Sequence, residues 1–328
     1  MVSFSKRITG QQPVRRRHTL AARLKREQFE ANPSRFLENT IKEYVATSPS
    51  NRFRSFNGAP IFDEPLVGFA DGDDAIFQDY KVIIGDFHLT PREALARHLR
   101  DKGGESAKEP PRVSVISWVL PSTLETRLSL RRESMVPSLR WNHTRWHGQD
   151  FIYELASHMA SLLEELGHQA VAPERANFYE TRALPDGLAS NWSQRHIAYA
   201  AGLGTFSLSD GFITPRGIAM RCGSVVCDVA LPPSPRVYEN HLVNCLFYRD
   251  ESCRRCIERC PADAITEEGH DKRKCEEFLF REQPAILKEL GREEGYTGAY
   301  LGCGLCQTKV PCEDRIPPII SPKNQQQQ

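Results

Sequence analysis

The clearest periodic segment of the chain runs from Phe151 to Leu166, "FIYELASHMASLLEEL". Its apolar residues recur three or four positions apart, so they share one face of a helix. Asp150 is positioned to cap the start of this helix, and Gly167, which readily adopts a left-handed backbone, ends it. The segment therefore predicts an amphipathic helix with one buried face, and His158 falls at its surface or boundary.

Short apolar runs on either side of this helix predict strands. Arg112–Leu120, "RVSVISWVL", predicts a buried strand that Pro121 closes. "QAVAP" predicts a second strand, and "FITPRG" and "CGSVVCDVALPP" predict two more. "NWSQRHIAYAA" predicts another helix, with Asn191 and Gln194 in the spacing of a capping box. Strands that alternate with helices indicate an α/β domain, here from about residue 46 to residue 240.

The composition is that of a globular protein with about two domains, since 40% of the 328 residues are hydrophobic and 26% are charged. No apolar run approaches the ~18 residues that are needed to span a bilayer. The N-terminus has no apolar stretch after its arginines, which argues against an export signal. We therefore expect a cytoplasmic protein that does not contact a membrane.

The first 45 residues are interpreted as a basic arm. The whole chain has a formal net charge of only +1, yet nine of its lysines and arginines, against two glutamates, fall within the first 36 residues. They are Lys6, Arg7, Arg15, Arg16, Arg17, Arg23, Lys25, Arg26 and Arg35. A charge run of this kind is most simply a solvated arm, and an RNA contact is the alternative. The glutamine-rich tail, residues 321–328, predicts disorder.

None of the ten cysteines precedes residue 222. A disulfide framework is typical of small secreted domains, and this chain has neither the size nor the signal of one. Structural zinc is the stronger competitor, because tetrahedral zinc sites use C-x2-C pairs. Two such pairs are present, Cys253 with Cys256 and Cys303 with Cys306.

The residues that follow the first pair favour iron–sulfur chemistry over zinc. Cys260 and then Pro261 complete the C-x2-C-x3-C-P order of bacterial ferredoxins. One expected cysteine is missing, since Asp250 stands three residues before Cys253. Cys245 is the nearest thiol upstream, and a loop that is a few residues longer closes at a cost of only tenths of a kcal/mol.

The second motif, "CGLCQTKVPC", is also longer than the usual run. Each [4Fe–4S] cluster takes four thiolates, and in two-cluster ferredoxins the last cysteine of a run binds the other cluster. The sequence therefore predicts a two-cluster, ferredoxin-like domain from residue 241 to residue 320. One cluster takes Cys245, Cys253, Cys256 and Cys312, and the other takes Cys260, Cys275, Cys303 and Cys306.

Cys222 and Cys227 lie outside these motifs, in a segment that alternates like a strand. Free cysteine behaves as a small buried hydrophobe, so packing is the simpler interpretation of both. A redox or ligand role is the alternative.

The segment "AGLGTFSLSDGFITPRGIAMRCGSVVCDVALP", followed at once by the cysteine motifs, resembles the epoxyqueuosine reductase and reductive dehalogenase group. The shared features are an A-G-L-G turn, an apolar-I-x-P-x-G strand turn and a strand ending in L-P. The resemblance covers about residues 145–315. It implies a nitroreductase-like α/β domain, with α+β layers, that holds a cobalamin and receives electrons from a ferredoxin-like domain.

The resemblance also implies the reduction of an organic substrate, either a small molecule or a modified nucleoside. One cluster would lie near the cobalt, and the other would lie near the surface and accept electrons from an external donor of the flavodoxin or ferredoxin type. The cofactor carries the reductive chemistry, while the protein positions it and supplies protons.

The catalytic aspartate of the epoxyqueuosine reductases has no direct counterpart here. Aligning the E-R pair of that family with Gln194 and Arg195 places the aspartate at Leu188, two residues from Asp186. The HEAT-like extension of the longer family members is also missing. These two departures make the chain a divergent cousin within the resemblance.

The polar segment "SNWSQRH" supplies candidate site residues instead. Asn191, Arg195 and His196 would line a pocket at the start of the helix, with His196 as a proton donor near neutral pH. The competing interpretation is structural, with Asn191 as a cap, Arg195 in a surface pair and His196 packed. A second segment, "WNHTRWHGQD", adds candidates for the same cavity, namely His143, Arg145 and His147.

The sequence leaves a second class of function open. The chain is alternatively a ferredoxin-type electron-transfer protein that serves a partner enzyme and has no cobalamin of its own, which the missing aspartate favours. A flavin in place of the cobalamin is a third interpretation, because flavin sites of the nitroreductase fold need no dinucleotide fingerprint. The fold alone does not choose among these functions.

Overall fold

The structure, a computed structural model, describes residues 12–103 and 110–318, with side chains from residue 22 onward in the first range. The main helices are α1 (Gln12–Ala31), α2 (Pro33–Thr47), α3 (Ile76–Ile83), α4 (Pro91–Gly103), α5 (Leu124–Arg131), α6 (Leu139–Glu165), α7 (Gln194–Ala200), α8 (Leu246–Asp250), α9 (Arg255–Glu258), α10 (Lys272–Glu277) and α11 (Gln283–Glu289). The strands are β1 (Leu66–Asp71), β2 (Ser114–Pro121), β3 (Ala170–Val171), β4 (Thr181–Leu184), β5 (Gly187–Ser190), β6 (Thr205–Phe206), β7 (Phe212–Ile213), β8 (Met220–Cys227), β9 (Ile265–Thr266) and β10 (Gly269–His270).

The largest sheet has four strands in the order β1-β2-β8-β3, and each pair is antiparallel. Strand β2 is central, with Ile116 opposite Phe69 of β1 and opposite Val225 of β8. All eight residues of β2 are buried, which confirms the strand predicted over 112–120. The prediction of a domain that mixes helices and sheet is confirmed, although its sheet is antiparallel.

Helices cover both faces of this sheet. Successive side chains of β2 point to opposite faces, so they enter two different cores. Ile116 and Trp118 pack with α2 and α6 in one core. Val115 and Val119 pack with α3, α4 and α7 in the other. Burial on both faces explains why β2 is apolar almost throughout and does not alternate with polar residues.

Helix α6 begins at Leu139, well before the predicted start at Phe151, so the expectation that Asp150 caps it is wrong. Ser138 is the cap, and its hydroxyl accepts a hydrogen bond from the Trp141 amide at 3.2 Å. The polar segment 141–150 is therefore part of the first half of this helix. The predicted end is correct, since Gly167 has a φ of +95° directly after it.

The predicted basic arm is also corrected in part. Residues 33–47 form α2, and its residues Leu37, Ile41 and Val45 lie three to four positions apart and are buried in the core with α6. Arg23 is exposed and pairs with Glu27 on α1. Lys6 and Arg7 lie outside the described residues, as does the tail 321–328.

Helix α7 is shorter than predicted and starts at Gln194 with Ser193 at its cap, so Asn191 and Gln194 form no capping box. Strands β7 and β8 agree with the predicted "FITPRG" and "CGSVVCDVALPP" strands. Beyond residue 240 the described chain consists of short helices, turns and the small β9–β10 hairpin. None of the helices in the described part of the chain is both long and apolar enough to cross a membrane.

Candidate functional site

Five of the predicted cluster cysteines line one cavity of about 370 Å³. They are the four predicted ligands of the first cluster, Cys245, Cys253, Cys256 and Cys312, together with Cys306 of the second set. The walls between them are apolar and include Ile213 and Ile218 of the α/β part, together with Phe247 and Val310. The cavity therefore combines five thiols with a low-dielectric lining.

A single helical turn explains how Cys245 reaches this cavity from eight residues before Cys253. Cys245 is the N-cap of α8, and Glu251 ends that helix in the left-handed conformation, with a φ of 57°. The Asp250 carboxylate accepts a hydrogen bond from the Ser252 amide at 3.1 Å, which fixes the turn that follows. The departure from the ferredoxin spacing is therefore an inserted turn.

The thiols of these cysteines are close enough to raise one another's pKa. Burial and then repulsion by Cys245 and Cys253 raise the pKa of the Cys256 thiol to about 12. Burial raises the pKa of the Cys312 thiol as well, and Cys245, Cys256 and Cys253 add to that rise. Thiols held this close in a buried site ionise together only when a cation compensates their charge.

The other four predicted ligands form a second group. Burial, then Cys303 and Cys260, raise the pKa of the Cys275 thiol to about 12. The pKa of Cys306 is raised by burial and by repulsion from Cys303, Cys275, Cys256 and Cys260. Cys306 thus lies on the side of its group that faces the first cavity, and it also lines that cavity. The structure therefore brings cysteines of both predicted sets close together, with Cys306 between the two, and their division into two ligand sets stays a prediction.

In the part of the chain that the structure describes, no three Cys, His, Asp or Glu side chains converge on a position that suits a single metal ion. The preference for iron–sulfur clusters over zinc therefore rests on the spacing of the cysteines in the sequence.

The long spacing before Cys312 is used to anchor its loop. The adjacent Glu313 is buried, and its carboxylate accepts hydrogen bonds from Arg131 at 2.8 Å and from the Lys309 amide at 2.7 Å. Arg127 lies 3.3 Å from the same carboxylate. Because both arginines belong to α5, Glu313 ties the second cysteine motif to the α/β part of the chain.

The first half of α6 holds the loop that precedes Cys303. The Asn142 amide donates to the carbonyls of Thr297 and Leu301 at 3.0 Å, and the Trp146 indole donates to the Tyr300 carbonyl at 2.9 Å. One nitrogen of His143 hydrogen-bonds the Gly295 carbonyl at 2.8 Å. These contacts give the segment "WNHTRWHGQD" a structural role that sequence analysis missed.

A second cavity, of about 420 Å³, lies between α6, the start of β8 and the loop that carries Cys303 and Cys306. Polar side chains from all three elements line it, namely Arg145, Arg221 and Gln307, beside the Trp141 ring. The loop reaches this position because Gly304 has a φ of +62° and because any side chain there would overlap Trp141. The second cavity therefore adjoins the second cysteine group directly.

The candidate residues Asn191, Arg195 and His196 do not line this cavity. Asn191 is buried, and it accepts from the Glu180 amide at 3.2 Å and donates to the Phe178 carbonyl at 2.8 Å. Arg195 is exposed and donates to the Asp210 carbonyl. Asn191 thus braces the chain before α7, but it is not the helix cap that the structural interpretation predicted, because Ser193 is at the cap.

His196 is not a cationic acid near neutral pH. Burial, with repulsion from Arg195, lowers its pKa to about 3, and its ring accepts or donates a hydrogen bond at the Ser193 hydroxyl, 2.8 Å away. Of the three candidates in the segment "WNHTRWHGQD", Arg145 lines the second cavity. His143 instead bonds Ser55 and Gly295.

Sequence analysis missed Glu174, which lies in the 3-10 turn directly after β3. Burial raises the pKa of its carboxyl group, while hydrogen bonding to Gln194 and the charges of Arg221 and Arg145 act in the opposite direction. Gln194 is itself fixed, because its Oε1 accepts from the Ser224 hydroxyl at 2.8 Å. A partly buried carboxyl group with a raised pKa, within electrostatic range of two arginines that line a cavity, is a candidate catalytic acid, and no motif marks it in the sequence.

The remaining candidates lie elsewhere. Leu188, at the position aligned with the aspartate of the family, is exposed on β5, and Asp186 is exposed in the hairpin turn before it. Cys227 is fully buried in the core, as the packing interpretation predicts. Cys222 is partly buried, and burial raises its thiol pKa to about 12.

The chain is therefore a mixed helix and sheet protein with a cavity lined by cysteines and a second, polar cavity. Comparison with known proteins relates it to the epoxyqueuosine reductases. A curated epoxyqueuosine reductase from Bacillus anthracis is 26% identical over 166 residues, which make up 50% of this chain and 39% of the relative. The match spans about two fifths of that relative, and it confirms the resemblance that the motifs predicted.

Two solved structures are also similar. The epoxyqueuosine reductase of Bacillus subtilis, with its catalytic loop swung out of the active site, aligns with a TM-score of 0.44 and 14% identity over 87% of this chain and 68% of its own. A selenomethionine-labelled epoxyqueuosine reductase aligns with a TM-score of 0.44 and 15% identity over 86% of this chain and 69% of its own. No family model matches the chain.

Proposed function

We propose that this protein is an iron–sulfur reductase with two [4Fe–4S] clusters in a ferredoxin-like segment, residues 241–320. The first cluster is bound by Cys245, Cys253, Cys256 and Cys312, and the second by Cys260, Cys275, Cys303 and Cys306. The observation that supports the proposal is the convergence of the predicted ligands, because five of them line the first cavity and the thiols of Cys260, Cys275, Cys303 and Cys306 repel one another beside it.

The thiols suit such clusters in number and in surroundings. Bound clusters supply one-electron transfer. The protein contributes thiolates, an apolar lining, and hydrogen bonds that set the potential, such as the one that the Ala264 amide donates to the Cys260 sulfur at 3.4 Å.

The two groups define a direction for electrons. The first group lies beside Phe247 and the exposed ring of Tyr248, which form an accessible surface for an external donor of the flavodoxin or ferredoxin type. The second group adjoins the cavity that Arg145 and Arg221 line. Electrons therefore enter at the first group and leave at the second, next to the bound substrate.

Glu174 is proposed to deliver a proton to the reduced substrate. Gln194 hydrogen-bonds the Glu174 carboxyl group, and the charges of the two cavity arginines, Arg221 and Arg145, act on it. Burial favours the protonated form, so the group is able to donate a proton when the substrate gains charge. Glu174 would then replace the catalytic aspartate of the epoxyqueuosine reductases, whose aligned position in this chain is Leu188.

No residue of this chain is assigned to the cobalamin that the resemblance implies, and no step is assigned to cobalt. The cobalt content of the purified protein tests that implication separately.

The first substrate to test is epoxyqueuosine, because the curated relative is named for its reduction. Removing an epoxide oxygen as water leaves an alkene and consumes two electrons and two protons. The external one-electron donor supplies the electrons in two steps. Glu174 supplies one proton, and the second comes from solvent that enters the cavity.

The experiment compares Glu174→Gln with Glu180→Gln, since Glu180 is exposed on the surface. Both variants are purified anaerobically, reduced with dithionite, and assayed for alkene product. We expect Glu174→Gln to lower turnover by about 100-fold or more, with unchanged cluster reduction, because general acid catalysis contributes about 10²–10⁴-fold. Full turnover by Glu174→Gln would refute its role.

The electron-transfer alternative makes a different prediction. A protein that only passes electrons to a partner would reduce that partner without binding a substrate of its own. The polar second cavity, whose two arginines act on the Glu174 carboxyl group, supports the reductase instead.

A further inference from the structure

The second cavity is lined by two arginines, and no carboxylate is among the residues that line it. Arg145 enters from α6 and Arg221 from the start of β8, and both line the same space. The carboxyl group that interacts with both, that of Glu174, lies outside this lining. Two guanidinium groups in one low-dielectric space repel each other unless an anion is present.

The hydrogen bonds that these arginines make within the protein do not use all of their N–H donors. The Arg221 Nη2 group donates to the Gln149 side chain, and the Arg145 Nη2 group donates to the Tyr300 hydroxyl. The Arg221 Nε group is buried and has no hydrogen-bond partner within the described part of the chain. A buried donor without a partner is unfavourable, so the Arg221 guanidinium retains a donor that a ligand could use.

We propose that the second cavity binds the anionic group, a phosphate or a carboxylate, of an organic ligand. Arginine forks match the paired oxygens of both groups. The volume of about 420 Å³ exceeds the needs of a bare anion, and the Trp141 ring forms an apolar wall for the rest of the ligand. This inference rests on the proposed function only in making that ligand the electron acceptor.

The position of the anion follows from the lining. Gly302, Gly304 and Gln307 flank Cys303 and Cys306 and border the cavity from the cysteine side. An anion between the two arginines thus lies at the edge of the second cysteine group. The ligand body extends from that point along Trp141.

Binding is tested on the full chain without any reductant, so that the result does not depend on turnover. Inorganic phosphate, guanosine monophosphate and succinate are titrated separately, with tryptophan fluorescence and calorimetry as readouts. The nucleotide arm identifies a phosphate ligand, and the succinate arm identifies a carboxylate ligand. We expect the preferred anion to bind Arg221→Gln and Arg145→Gln at least tenfold more weakly than the native chain.

Arg182→Gln is the matched control, because Arg182 lies on β4, is exposed and pairs with Glu180. The affinity of this variant for the anion should stay within twofold of the native value. Arg221→Lys keeps the charge and loses the fork, so it should bind with intermediate affinity even if Arg221→Gln folds poorly. Equal binding by the native chain and both glutamine variants would overturn the proposal, and so would the absence of binding of all three probes to the native chain. Either outcome leaves the cluster and turnover measurements unaffected.

Discussion

Gly304 offers a direct test of how the second cysteine group is held against α6. Its φ is +62°, and a Cβ atom at this position would overlap the Trp141 indole. Gly291 has nearly the same φ, +61°, and a Cβ atom added there would meet no heavy atom within 4 Å. The two glycines therefore separate backbone strain from steric overlap.

The expected magnitudes follow from these two geometries. A left-handed conformation costs a residue other than glycine about 1–2 kcal/mol, which applies equally to Gly291→Ala and Gly304→Ala. Overlap in a packed site adds about 1–3 kcal/mol, and only Gly304→Ala incurs it. We therefore expect Gly291→Ala to lose about 1–2 kcal/mol of unfolding free energy, and Gly304→Ala about 2–5 kcal/mol.

The assay is anaerobic chemical denaturation followed by far-UV circular dichroism, with iron measured on the same samples. Gly304→Ala should also lose up to half of its iron, because the displaced loop carries Cys303 and Cys306. Gly291→Ala should keep all of it. The reasoning is refuted if the two variants agree within about 0.5 kcal/mol, the usual range of surface substitutions, and both retain full iron.

Three further predictions concern other parts of the molecule. Cys312→Ser should lose about half of the bound iron, because one group of four thiols becomes incomplete, whereas Cys222→Ser should lose none; equal iron in both variants would contradict the grouping. His196 has a folded pKa of about 3, below its unfolded value of about 6.5. The unfolded chain therefore binds the extra proton between these values, and the stability that neutral His196 provides above pH ~6.5 is lost as the pH falls toward 3. His196→Gln has no imidazole to protonate, so its chemical denaturation midpoint should fall less between pH 7 and pH 5 than the midpoint of the native chain. Glu313→Gln leaves two arginines without their carboxylate and should lower the free energy of unfolding by roughly 2–3 kcal/mol. This is less than the loss expected for a fully buried ion pair, because Arg131 is partly exposed. An unchanged denaturation midpoint would show that Glu313 does not anchor the loop.

The parts of the fold that were predictable are those in which local pattern and burial agree. Strand β2 is apolar throughout because both of its faces are covered, and a continuous apolar run shows this directly. The second half of α6 has a regular apolar face and was predicted for the same reason. The first half was missed because Asn142 and Trp146 satisfy their polar atoms in a loop more than 150 residues away in sequence, and no local pattern records such a contact.

The same distinction holds for the candidate site. The cysteine spacing carries information because consecutive ligands are close in sequence, and the structure places these thiols close together, with Cys306 between the two predicted sets. Glu174 carries no such signal, since its importance comes from Gln194, Arg221 and Arg145, which reach it from three other elements. His196 illustrates the opposite case, in which a residue with suitable chemistry is held neutral by burial.

The basic N-terminal segment shows why composition alone misassigns a boundary. Its charges suggested a solvated arm to residue 45, yet Leu37, Ile41 and Val45 recur at helical spacing and enter the core. Periodicity decided the structure there, and charge did not.

The most direct test of the account is the iron and zinc content of the chain, purified and reconstituted anaerobically, with the electron paramagnetic resonance spectrum of the reduced protein. Two [4Fe–4S] clusters predict about eight irons per chain, no stoichiometric zinc, and the signals of two interacting reduced clusters. One or two zinc ions per chain with no iron would contradict the proposed function at its foundation.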